Sequence, residues 1–203
     1  MMRALRHLTT WGVCALCVCA TTAVAAGQWG EGTDRGLAIL TAKALVVPLH
    51  GTQAIDDAII LVREGKIEGV GAQSELAVPA GYEVLDVGSR WVAPGIIDLH
   101  CHVASSSFFV NDLNDMVYLT NPGLRSSTSV VPGNPHLLTG LAAGVTSVLY
   151  IPGSGTNIGG QGVLLKTGLL RYEQMEIRNP GSLKLAQAGN PESWTVGVGR
   201  AFM

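Results

Sequence analysis

The stretch Trp91-Val92-Ala93-Pro94-Gly95-Ile96-Ile97-Asp98-Leu99-His100-Cys101-His102 most narrows what this chain can become. A Pro-Gly turn leads into an apolar run, Ile96 to Leu99, that reads as a buried strand. The run ends in two histidines at positions i and i+2. Alternate side chains of a strand share a face. His100 and His102 therefore point one way and Cys101 the other, with Asp98 on the histidine side. Two imidazoles on one face near a strand's end suit a divalent metal ion bound through nitrogen. Asp98 is then a further ligand, or a carboxylate that orients one ring from behind. The alternative is a pair of structural histidines with no metal.

The composition removes several classes of function. A formal net charge of −2 over 203 residues offers no basic footprint for nucleic acid. The length allows one or two domains. Twenty-six glycines and few aromatics suit a turn-rich chain of strands. Of four cysteines, Cys14, Cys17 and Cys19 cluster in one apolar run, which leaves Cys101 and implies no disulfide framework.

That apolar run, Trp11 to Ala20, follows a basic start of Arg3, Arg6 and His7. It precedes Ala23-Val24-Ala25-Ala26, small residues spaced for cleavage. Residues 1–26 thus read as a secretory signal, which predicts a secreted or periplasmic protein. The run is short for a membrane span, so none is expected after processing, although an uncleaved anchor is the other reading. Residues 27–36, polar and rich in glycine, read as a linker.

Residues 37–93 read as short strands: Leu37 to Leu40, Ala44 to Val47, a hairpin of Ala58 to Val62 and Ile67 to Val70 about Arg63-Glu64-Gly65-Lys66, then Val84 to Val87 and Arg90 to Val92. They predict a small β-sandwich. Beyond His102, residues 103–135 are irregular and polar. A helix is expected at 136–143, closed by Gly144, and a buried strand at 145–151. Strand, helix and strand make a βαβ unit with parallel strands. The glycine-rich 152–162 lacks the Gly-Lys-Ser/Thr of a phosphate-binding loop. The last apolar run, Leu183 to Ala186, carries Lys184, which on the plainest reading snorkels to the edge.

Pro94-Gly95-Ile96-Ile97-Asp98-Leu99-His100-Cys101-His102 resembles the first-strand signature of the amidohydrolase superfamily, PGxIDxHxH, with all six specified positions in order. The hairpin from Ala58 to Gly71 and the segment Leu141-Ala142-Ala143-Gly144-Val145-Thr146-Ser147-Val148 are similar to other parts of that family. Gly189-Asn190-Pro191 resembles a segment of its imidazolonepropionase-like subgroup.

The resemblance implies an α/β fold: part of a β-sandwich over 37–93, then the first half of a (β/α)8 TIM barrel over 94–203. It implies one or two divalent metal ions, zinc first, held by His100 and His102. Lys184, fourth strand by count from His100, becomes a candidate third ligand in carboxylated form. Loops after barrel strands form the mouth where a small-molecule substrate binds. This makes Asn157 and Gln161 candidate substrate contacts, with Asp112, Asn114, Asp115 and Arg125 behind them. The family's other histidine ligands and its aspartate general base belong to later strands. A barrel needs about 250 residues, so the chain is expected to be a fragment, inactive alone. The expected activity of the full-length protein is metal-dependent hydrolysis of a carbon–nitrogen bond, in a cyclic amide, an imidazolone-like ring or a dipeptide. Two other readings stay open: a non-catalytic relative that binds a small ligand, and a secreted β-sandwich binding module.

Overall fold

The structure is a computed structural model and describes residues 35–48, 50–105 and 118–186. The predicted signal segment, most of the linker, Asp112, Asn114, Asp115 and Gly189-Asn190-Pro191 lie outside the described residues.

Two mixed sheets with few helices make up the fold. The first contains β1 (Leu37–Val46), β2 (Gln53–Arg63), β3 (Lys66–Ala72), β4 (Glu83–Asp86) and β5 (Trp91–Val92). Its order is β3-β2-β1-β4, with β5 also paired to β1. β1 and β2 are antiparallel, as are β2 and β3, whereas β4 and β5 run parallel to β1. The expected hairpin is present. Glu64 (φ 49°) and Gly65 (φ 71°) form its two-residue turn, and paired positive φ values match the twist of the flanking strands. The two apolar runs expected near residue 40 are a single ten-residue strand.

The β-branched run of β2 alternates between faces. Ile59 and Leu61 pack with Ala38, Leu40, Leu76 and Tyr82. Ala58, Ile60 and Val62 pack with Ile39, Ala44, Ile55 and Val92 on the other side. Thr41 reaches from buried β1 to the carbonyl oxygen of Arg90, 2.6 Å away, and so fixes the approach to β5. Among the described residues this is one sheet with an apolar cluster on each face, not two stacked layers.

The second sheet has the order β6-β7-β8-β9, formed by β6 (Ile96–Cys101), β7 (Val145–Tyr150), β8 (Ile158–Lys166) and β9 (Glu176–Leu185). α1 (Pro135–Ala142) lies between β6 and β7, and the single turn α2 (Tyr172–Met175) precedes β9. α1 starts where expected. Asn134 caps it, its side-chain oxygen accepting from the His136 N–H at 2.8 Å, and Pro135 occupies the first turn. Gly144 (φ 91°) ends it in the left-handed region.

β6 and β7 are parallel, as the strand–helix–strand pattern predicts. The parallel run stops there: β8 is antiparallel to β7, and β9 to β8. Chain length explains the reversal. A parallel crossover takes a dozen or more residues, and only residues 151–157 separate β7 from β8.

The core of this sheet joins Cys101, Val148, Tyr150, Val163, Leu165 and Met175, with Leu137 of α1 seated on it. A segment from Thr120 to a 3-10 turn at Ser126–Ser129 lies along β8, bridged at Thr120–Ile158 and Arg125–Gln161.

Candidate metal centre

His100 and His102 stand at the C-terminal end of β6, next to the end of β7. Their two Nε2 atoms are 3.1 Å apart, with ring centroids at 5.0 Å and planes at 73°. His100 is exposed and His102 half-buried. His102 Nδ1 lies 3.2 Å from the carbonyl oxygen of Ile151. A backbone carbonyl can only accept, so Nδ1 carries the proton and Nε2 presents its lone pair toward His100. Asp98 acts one step back. Its Oδ1 accepts from the backbone N–H of His100 at 2.9 Å, which fixes the strand end carrying that ring.

The pair suits a metal ion. Two bonds of about 2.0–2.1 Å from one zinc reach nitrogens at this separation. A backbone carbonyl holding the far nitrogen of a ligating histidine is the usual orienting contact. The same 3.1 Å also suits one N–H···N hydrogen bond with His100 donating. Among the described residues no third His, Cys, Asp or Glu joins the two.

Between the histidines, Cys101 points into the core and is 4% exposed. Burial pushes its thiol pKa up, the Val103 N–H bound to Sγ pulls it down, and the Asp98 charge raises it. Its role here is packing.

The other expected site residues are dispersed. Lys184 is buried on β9, and its stem passes Gly159 of β8. With β7 and β8 between, it stands three strand spacings from β6, about 14 Å across the sheet. Because β9 runs antiparallel to β8, counting strands along the sequence gives no barrel position for it. Asn157 is fully buried: its Nδ2 donates to the Ala186 carbonyl and its own carbonyl accepts from the Ala186 N–H, both at 2.9 Å. That pair of hydrogen bonds, the second to the backbone carbonyl of Asn157, ties the start of β8 to the end of β9. Gln161 donates from Nε2 to the Pro122 carbonyl at 3.1 Å and lines a cavity beside β9. Reading the sequence alone missed the Ile151 carbonyl, since no side chain marks it.

No protein-family model matches the chain. Over 119 residues it is 31% identical to "Amidohydrolase tasK" of Hapsidospora irregularis, covering 56% of this chain and 12% of that protein. It is 44% identical over 54 residues to the imidazolonepropionase of Pseudomonas syringae pv. tomato, covering 26% of this chain and 14% of the relative. An amidohydrolase from Thermotoga maritima MSB8, known from a crystal structure, superposes with a TM-score of 0.66 at 30% identity, over 76% of this chain and 40% of that one. The chain is thus similar to amidohydrolases in both sequence and fold. Its matched part spans 40% or less of the length of each of these amidohydrolase relatives. The superfamily likeness expected from the six-position signature around His100 is thus met by relatives in both sequence and fold.

Proposed function

We propose that this chain supplies the first pair of metal ligands to a hydrolase that opens a carbon–nitrogen bond in a small molecule. The observation that carries the reading is the convergence of the two Nε2 atoms at 3.1 Å, with the Ile151 carbonyl fixing the tautomer of His102. The imidazolonepropionase likeness points to a ring amide as the class of bond. The (β/α)8 barrel would be completed in a protein extending to the relatives' length, where the remaining ligands and the general base would reside.

A divalent ion at this place, zinc by preference for imidazole nitrogen, supplies Lewis acidity and brings the pKa of a bound water to about 7. His100 and His102 hold it. Asp98 keeps the His100 backbone from swinging, and Ile151 keeps His102 from turning its protonated nitrogen inward. Lys184 enters as a third ligand only if the sheet curls enough to bring β9 toward β6. Residues 1–26 direct export in this reading, and their fusion to a reporter active only outside the cytoplasm tests that.

The deciding experiment is zinc titration of the full chain and of the variants His100→Ala and His102→Ala, with a chromophoric competitor. Stoichiometric binding by the parent chain, lost in both variants, supports the proposal. Equal metal content in all three overturns it. In a protein of the relatives' length, zinc-dependent opening of an imidazolone or cyclic amide, abolished by either variant, tests the reaction class.

A further inference from the structure

A cavity of about 330 Å³ lies beside β9, lined by Pro122, Gln161, Arg178, Pro180, Gly181, Ser182 and Leu183. Its volume falls at the lower end of the range for small-ligand sites, about 300–1,000 Å³. Two proline rings and Leu183 give it apolar walls. Arg178 is the one charged residue in its lining.

That cation has no ion-pair partner among the described residues. Glu176, two positions earlier on the same strand, is the nearest carboxylate in sequence. Its Oε2 is instead engaged by the Tyr172 hydroxyl and, at 3.1 Å, by Asn179 Nδ2. Gln161 is held in place by its bond to the Pro122 carbonyl, so the wall opposite β9 is fixed. Cross-strand pairing puts Gln161 opposite Leu183. The same ladder puts Arg178 opposite Leu164, and β7 lies between these two strands and β6, so the cavity stands at least two strand spacings, about 9 Å, from the strand that carries the histidines.

We infer that this cavity is a binding site, separate from the histidine pair, for a small molecule with one carboxylate and a compact apolar body. The planar fork of Arg178 matches a carboxylate in two parallel hydrogen bonds. A single cation balances a single negative charge, which favours a carboxylate over a phosphate. The proline and leucine walls take the apolar part.

Phenylacetate and its neutral isostere phenylacetamide are the probes, titrated into the full chain and followed by isothermal calorimetry. Saturable binding of phenylacetate is expected, with phenylacetamide at least about tenfold weaker. Arg178 is exposed, so Arg178→Gln is expected to keep the parent far-UV circular dichroism while weakening phenylacetate binding at least about tenfold. The double variant His100→Ala/His102→Ala is expected to bind like the parent. The inference is overturned if phenylacetate does not bind, if the amide binds equally well, if Arg178→Gln binds unchanged, or if the double histidine variant is the one that loses binding. That last outcome would place the carboxylate at the metal centre. Loss of zinc binding with phenylacetate binding intact would instead strike only the metal proposal.

Discussion

The carbonyl oxygen of Ile151 sits 3.2 Å from His102 Nδ1, so the end of β7 sets the tautomer of a histidine on β6. The metal centre is a property of two neighbouring strands, and its geometry depends on their register.

Asp98 is the first place to test that dependence. Its carboxylate restrains the His100 backbone through one 2.9 Å hydrogen bond. Asp98→Ala is expected to lower zinc affinity by about 10–100-fold, the usual cost of losing an orienting group. Asp98→Asn keeps an oxygen acceptor and is expected to lose less. Competition titration of the two variants gives the comparison; equal losses would mean that charge, not the hydrogen bond, is what matters.

Gly162 is the second. A Cβ there would come within 2.8 Å of both the Tyr150 carbonyl oxygen and Ile151 Cγ2, and within 2.6 Å of Ser182 Oγ. Gly162→Ala is expected to cost about 1–3 kcal/mol of stability through overpacking. It also displaces the chain at Ile151, so zinc affinity should fall although no ligand has changed. Urea denaturation and zinc titration on the same preparation would separate the two effects.

Leu137 is 2% exposed and pins α1 to the second sheet. Leu137→Ala is expected to destabilise the chain by about 2–5 kcal/mol. A loss well under 1 kcal/mol would mean that the helix contributes little to the core.

Tyr172 gives a signature in alkali. Burial first, then hydrogen bonding and charge from Glu176, push its hydroxyl up to about 12 from 10.0. The folded state thus holds this proton more tightly than the unfolded state. The associated stability is complete below pH 10 and is lost as pH rises from 10 to about 12. Tyr172→Phe is expected to flatten the pH dependence of stability across that window. Denaturation midpoints on both sides of pH 10 would show it, and an unchanged slope would remove Tyr172 from the account.

Much of the framework was legible because local rules carried it. Arg63-Glu64-Gly65-Lys66 announced a tight hairpin, the composition of residues 136–143 with Gly144 after them announced α1, and the spacing of His100 and His102 put both rings on one face. The reversal of β8 and β9 was harder to read. Their apolar runs suit parallel and antiparallel pairing alike, and only the shortness of residues 151–157 decides. Asn157 reads as a substrate contact at a mouth, and Lys184 as an edge lysine or a carboxylated metal ligand, whereas the sheet buries both. A sequence does not show which polar side chains will find a backbone partner inside.

β6 stands at one end of its sheet order among the described residues, with Ile97 and Leu99 59% and 66% exposed. The two ligands therefore stand at the end of a strand that is hydrogen-bonded along one side among the described residues, and its local opening breaks bonds along that side alone. An ion that binds only the closed strand adds its binding free energy to the cost of that opening. Slowed amide hydrogen exchange at Leu99 to His102 would report occupancy of the centre even where no reaction is followed.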